Sequence, residues 1–168
     1  MYFTLTQKEL SKLLKYDKQT GLFTWLVDRR NRHVKKGSIA GCKHKYGYTN
    51  ITIKGKTYLA HRLAFLYVDG VIPNEIDHIN HQRDDNKWDN LRAVTRSENC
   101  RNSTKNKNNK SGINGVRLYL HSKTPKWVAS IYFDGKNRHL GYFDTVEEAT
   151  STRLKAEELY GFHKNHGK

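Results

Sequence analysis

Asp77 and His78 lie side by side in the run Glu75–Ile76–Asp77–His78–Ile79–Asn80, and Asn99 follows 22 residues after Asp77. A carboxylate and an amide oxygen are hard donors. Together they suit a cation such as Mg²⁺, which takes few protein oxygens and keeps several waters. A neutral imidazole, with an unperturbed pKa near 6.5, is a credible proton acceptor for a water attacking phosphorus. That set of groups suits phosphodiester hydrolysis. On residue types alone, the same positions also read as an ordinary turn aspartate and a surface histidine.

The elements around these residues must bring them together. Glu75 to Asn80 reads as a strand, followed by an Asn- and Asp-rich loop to Asp89 and a second strand over Asn90 to Thr95. Thr95 with Glu98 forms a capping box that opens a helix. Such a ββα unit sets the end of the first strand against the helix, so that Asp77 and Asn99 share one cation. On a strand His78 faces away from Asp77 and addresses the water. Upstream, Thr6 and Glu9 form another capping box, predicting a helix over 7–14. Asp17 to Gly21 is a turn, Leu22 to Leu26 alternates like a strand, and Tyr48 to Leu59 reads as a hairpin turning at Gly55–Lys56. Ala60 to Val68 carries its apolar residues on one helical face and packs that hairpin.

The chain has 168 residues, 31 Lys+Arg and 16 Asp+Glu, a formal charge of +15. That balance points to a polyanionic partner. The charge is uneven: residues 1–60 carry +10, residues 61–100 carry −2, residues 101–112 carry +4 and residues 113–168 carry +3. The acidic island coincides with Asp77 and its loop, where carboxylates beside a phosphate-binding surface need a cation to screen them. Only 36% of residues are hydrophobic. The longest apolar stretch, Leu63 to Val68, is far short of the ~20 residues that span a bilayer. No membrane span and no secretory signal are expected. Two cysteines, Cys42 and Cys100, exclude a disulfide framework and a four-cysteine zinc site.

Residues 101–112, RNSTKNKNNKSG, hold no apolar residue and read as a basic linker. Its Arg101, Lys105, Lys107 and Lys110 are placed to follow a nucleic-acid backbone. Beyond it, Gly115 to Leu120, Lys126 to Phe133 and Arg138 to Phe143 read as three strands, with a hairpin turn at Asp134–Gly135. Thr145 with Glu148 caps a helix that runs to about Tyr160 and closes at Gly161.

The stretch from about Leu59 to Asn102 resembles the HNH endonucleases of the phage and intron-homing branch. The shared residues are Ala60 to Ala64, Ile76 to Asn80, Asp89 to Arg92 and Glu98 to Asn102. The lead-in from Leu14 to Trp25 is similar to phage HNH proteins as well. The resemblance implies His78 as general base, Asp77 and Asn99 as metal ligands, and Asn90 as the central asparagine that fixes the loop and orients the histidine. Asparagine in the third motif position favours Mg²⁺ or Mn²⁺, with no zinc expected. His61, on the helix that packs the hairpin, reads as a structural hydrogen-bonding histidine. His81 and Asp84 read as solvated loop residues, and Cys100 as a small buried residue.

Residues 113–161 resemble the plant apetala-two, or ethylene-response-factor, DNA-binding domain. The shared residues are Gly115 to Arg117, Lys126 to Ala129, Ile131, Leu140 to Phe143, Thr145, Glu147 to Ala149 and Ala156. That resemblance assigns Arg117 and Trp127 to a DNA-reading sheet, with Arg138 as a third contact; Trp127 is also a candidate for core packing between sheet and helix. Asn114 stands where the family has arginine, and the helix lacks its Ala-Tyr-Asp run.

These readings add up to an α+β protein: a ββα-metal HNH nuclease domain plus a small three-stranded antiparallel sheet packed on one helix. The expected division is a nuclease domain over 1–102, with its ββα unit at about 71–102, a linker over 103–112 and a DNA-binding domain over 113–168. The expected activity is metal-dependent cleavage of double-stranded DNA by a homing-type nickase acting as a monomer in the cytoplasm, nucleoid-associated through its DNA and not secreted. The alternative is a DNA-binding protein with an inactive HNH unit; an RNA-processing role lacks an aromatic RNA-binding signature.

Overall fold

The computed structural model describes residues 5–28, 34–103, 105, 108–120 and 124–167. The chain divides into two compact units at Val94/Thr95.

In the first unit, Thr6 caps helix α1 (Gln7–Leu13): its hydroxyl accepts from the Glu9 N–H, and the Glu9 carboxylate accepts from the Thr6 N–H. The helix stops one residue earlier than its pattern predicts. Leu14 turns to extended backbone and starts β1 (Leu14–Tyr16), which pairs antiparallel with β2 (Phe23–Trp25). Alternation then sends Leu14, Tyr16, Phe23 and Trp25 into the core. A short β3 (Ile39–Ala40) adds to β2.

A second three-stranded sheet holds β4 (Cys42–Lys43), β5 (Thr49–Ile53) and β6 (Lys56–Leu59). Its tight turn uses positive φ at Lys54 and Gly55, as a two-residue hairpin loop requires. Helix α2 (Ala60–Asp69) lays Ala60, Leu63, Ala64, Phe65 and Leu66 into one core with Leu10, Leu14, Phe23, Ile51 and Ile53, and ends at Gly70. A two-stranded ladder of β7 (Glu75–His78) and β8 (Leu91–Val94) follows, its connecting loop closing with a 3₁₀ turn at Trp88–Asn90.

That loop is anchored on the β1–β2 turn. The Trp88 N–H donates to the Lys18 carbonyl at 2.9 Å, and the Tyr16 hydroxyl donates to the Asn86 carbonyl at 2.6 Å. Gly21, at φ +74°, lies so close that a Cβ there would meet the Asn86 carbonyl carbon at 2.4 Å. Both the left-handed backbone and the clash act against any side chain. Gly21→Ala is therefore expected to cost at least about 2 kcal/mol, read as a lowered urea midpoint at unchanged m-value.

The second unit begins with α3 (Arg96–Arg101), capped by Thr95 and Glu98 as the sequence predicts. The expected boundary at residues 103–112 thus differs from the division found. The Arg101 guanidinium donates to the Tyr160 carbonyl at 3.4 Å and lies 5.6 Å over the Phe133 ring, and the Gly167 N–H donates to the Ser103 carbonyl at 2.9 Å. The last part of the expected linker is folded too: Asn109 Nδ2 donates to the Ile113 carbonyl and Ser111 Oγ to the Val116 carbonyl.

Strands β9 (Val116–Tyr119), β10 (Lys126–Phe133) and β11 (Lys136–Phe143) form an antiparallel sheet with β10 in the centre. Helix α4 (Val146–Leu159) packs on it through Ala149, against Val116 and Ala129. A small three-stranded sheet on one helix is therefore present, alongside further small antiparallel sheets in the first unit. No helix among the described residues is long and apolar enough to cross a membrane.

Candidate active site

The β7–β8 register pairs Asp77 with Arg92 and His78 with Leu91. Successive side chains on a strand point to opposite faces, and these two residues meet different neighbours. Asp77, 7% exposed, accepts from Arg92 Nε at 2.9 Å and Nη2 at 2.6 Å, both on Oδ2. His78, 6% exposed, stands in an aromatic and polar cage. Its ring meets the His61 ring edge to face with centroids 5.0 Å apart, and the Tyr48 ring lies 6.1 Å away. Its Nε2 is 3.3 Å from Asn86 Oδ1.

Burial dominates the electrostatics. It pushes the His78 pKa below the ordinary histidine value; the Asn86 hydrogen bond and the carboxylates of Asp77 and Asp85 oppose that push, and Arg83 adds to it. His61 is driven further, to about 3, by burial and then by His78 and Arg62, so it is neutral at physiological pH. His61 was expected to be a hydrogen-bonding structural residue. Instead its buried Nδ1 has no hydrogen-bond partner among the described residues, and its ring packs against His78.

Asn90 staples the loop. Its Oδ1 accepts from the Asn80 N–H at 3.0 Å, its Nδ2 donates to the Asp85 carbonyl at 2.8 Å, and its own carbonyl accepts from the Ile79 N–H. These bonds go to loop backbone; the side-chain partner at His78 Nε2 is Asn86. Nothing in residue type or spacing separates Asn86 from its neighbours Asn80 and Asn90. Asp84, read as solvated, pairs with Lys43 at 2.6 Å, and Arg83 lies 5.1 Å over Tyr48 while donating to the Tyr46 carbonyl.

Asn99 is half-buried on α3 in the second unit, whereas Asp77 and His78 belong to the first. Cys100, expected to be buried, is exposed, because this short helix buries none of its residues. No cluster of three or more His, Cys, Asp or Glu forms a metal cage among the described residues. The donor types still fit a hard cation: a carboxylate at Asp77 and an amide oxygen at Asn99. A cation at Asp77 meets competition from the Arg92 guanidinium for the same carboxylate. Arg92→Ala removes the guanidinium clasp from that buried carboxylate and is expected to cost about 1–3 kcal/mol, measured by chemical denaturation. Added Mg²⁺ should restore part of the loss, because a cation that binds the folded state stabilises it.

In the second unit the expected DNA contacts fall in different surroundings. Trp127 packs against the cluster of Val116, Ala129 and Ala149, on the face covered by α4. Arg138 is exposed but stacks its guanidinium 5.5 Å over Tyr160 and 5.9 Å over Phe133. Arg101 is engaged with Tyr160 and Phe133 as described above. Arg117, Lys105 and Lys110 are exposed, and Lys107 lies outside the described residues.

Residues 58–101 match the family model of an HNH endonuclease. The chain is 32% identical over 120 residues, 70% of its length, to an uncharacterized HNH endonuclease of Acanthamoeba polyphaga mimivirus. The matched region covers 60% of that relative. No solved structure matches the chain. The matched stretch holds α2, the β7–β8 ladder with Asp77 and His78, and α3 with Asn99, and is similar to an HNH endonuclease domain.

Proposed function

We propose that the chain is a metal-dependent DNA endonuclease of the homing type that nicks double-stranded DNA, with His78 as general base. The observation that carries this reading is the buried imidazole of His78, kept neutral by burial beside the Asp77 carboxylate. A neutral ring takes a proton from water while the water oxygen bonds to phosphorus. The bond from phosphorus to the leaving sugar oxygen then breaks, and that oxygen is protonated from solvent. Asp77 and Asn99 would hold a Mg²⁺ or Mn²⁺ ion. When bound, the ion supplies electrostatic stabilisation of the charge that develops on the phosphate and leaving oxygen. Asn90 keeps the loop beside the base in one conformation.

The test is incubation of supercoiled plasmid with the full chain in Mg²⁺ or in EDTA, for wild type and His78→Ala. Nicked circles with Mg²⁺ and wild type alone support the reading; intact plasmid in every lane overturns it. The clasp of Arg92 on Asp77 favours the second reading, a DNA-binding protein whose HNH unit is inactive. Retained DNA binding with no cleavage in Mg²⁺ or Mn²⁺ is its signature.

The second unit is proposed to dock the DNA, as the resemblance to the apetala-two domain implies. Val128 pairs with both Arg117 and Tyr142, so these share the face opposite Trp127. Tyr142 is 59% exposed, and its ring meets those of Tyr119 and His139. An arginine among exposed aromatic side chains suits a groove, where it reads guanine edges. Arg117→Ala is expected to cost about 1–3 kcal/mol of binding at one preferred base, measured by competition with single-base variants of the bound site. Trp127→Ala should instead lower the thermal stability of this unit.

A further inference from the structure

We propose that Asn86, held in place by Tyr16 and the Gly21 turn, is the positioning residue of His78: its side-chain oxygen keeps the imidazole proton on Nε2 and so makes Nδ1 the atom that accepts a proton. This inference rests on the reading of His78 as the base.

The amide orientation follows from its two contacts. Asn86 Nδ2 donates to the Asp84 carbonyl at 3.1 Å, which leaves Oδ1 as the end 3.3 Å from His78 Nε2. An amide oxygen only accepts, so the ring nitrogen facing it must carry hydrogen. In a neutral imidazole the other nitrogen then holds the lone pair. When Nδ1 takes the proton from water, the ring becomes an imidazolium and keeps its Nε2–H bond to Asn86. A hydrogen bond from a charged donor is stronger than one from a neutral donor, so the contact favours the charged ring that forms during the reaction.

Asn86 is itself over-determined. It is 3% exposed, and its carbonyl accepts from the Tyr16 hydroxyl at 2.6 Å. Burial raises the Tyr16 pKa, so the hydroxyl remains a donor at any working pH. Gly21 closes the other side, with room for no Cβ against the Asn86–Lys87 peptide. A turn near the start of the chain therefore fixes an asparagine some 65 residues later, and through it a ring nitrogen. For metal-ligating histidines the partner of the second ring nitrogen is worth about 10–100-fold in metal affinity or activity, and the same ordering of a ring sets the scale expected at His78.

The experiment is ring-nitrogen NMR of the ¹⁵N-labelled, metal-free full chain above neutrality, combined with single-turnover cleavage at saturating enzyme. Wild type should show a protonated Nε2 and a bare Nδ1 on His78. Asn86→Leu should populate the other tautomer and slow cleavage about 10–100-fold, with the DNA dissociation constant unchanged. Tyr16→Phe should move both readouts in the same direction by less, and Asn86→Asp, which keeps an acceptor, should keep the Nε2 proton. A proton on Nδ1 in wild type overturns the proposal, as does a folded Asn86→Leu with the wild-type tautomer and rate. If Asn86→Leu does not fold, wild type and Asn86→Asp decide: the Nε2 proton in both supports the proposal, and its loss in either overturns it. A His78→Ala chain that cleaves at the wild-type rate removes the base assignment, while the tautomer spectra judge Asn86 independently.

Discussion

His78→Ala is expected to slow single-turnover DNA cleavage by at least about 100-fold, the scale of a lost general base, with DNA affinity unchanged. The side chain is buried among His61, Tyr48 and Asn86, so the substitution also opens a small cavity. A circular dichroism control separates the two effects. His61 is a poor substitute base: its pKa near 3 gives it little affinity for a proton at neutral pH. The pH profile carries the sign. The neutral ring is the active form, so the wild-type rate should climb as pH rises through the His78 pKa and then level off. Burial places that pKa below the ordinary histidine value, so the plateau should already be reached at neutrality. A rate still rising steeply above neutrality would show that some other group activates the water. A cleaving His78→Ala chain would show the same thing directly.

What could be read from the sequence was mostly local. The three capping boxes at Thr6, Thr95 and Thr145 appear where the residues place them, because each is closed within four residues. The hairpin ending at Leu59 and the pairing of β7 with β8 were legible for the same reason: turn chemistry and alternation are properties of short runs. Leu14 continues the apolar face of α1 and by that pattern belongs to the helix. Its pairing opposite Trp25 decided otherwise, and no local pattern reports that contact. Trp127 shows a different limit. Both faces of β10 carry apolar residues, Trp127 and Ala129 on one and Val128 on the other, so alternation alone does not say which one α4 covers.

The site divides in the same way. Asp77, His78 and Asn90 stand out by type and spacing in the sequence. Asn86 meets His78 across 8 residues of irregular loop and His61 meets it across 17, separations that no strand or helix period reports. The loop between β7 and β8 is anchored on Tyr16 and the Gly21 turn, contacts that reach across some 65 to 70 residues of sequence, and by Trp88 against Phe65.

Asp77→Ala and Asn99→Ala are each expected to reduce metal-dependent cleavage by about 1,000-fold or more, since a bound cation contributes several kcal/mol of charge stabilisation. DNA binding should persist. Removing Asp77 releases an arginine whose side chain is one-third exposed and can turn to water, so the first unit should stay folded. An additional positive charge should, if anything, tighten phosphate contacts at low salt. The direct readout is Mn²⁺ affinity by electron paramagnetic resonance, which needs no catalysis. Both variants should bind the ion more weakly than wild type, whereas Asn99→Asp, which keeps an oxygen and adds charge, should bind it at least as well. Wild-type Mn²⁺ affinity in Asp77→Ala and Asn99→Ala, with cleavage lost, would sink the ligand assignment. The two residues lie in different units. Weakened binding in both variants supports the proposed ligand assignment. If Asn99→Ala alone leaves affinity intact, the ion is held by Asp77 without α3, and Asn99 acts elsewhere in the domain.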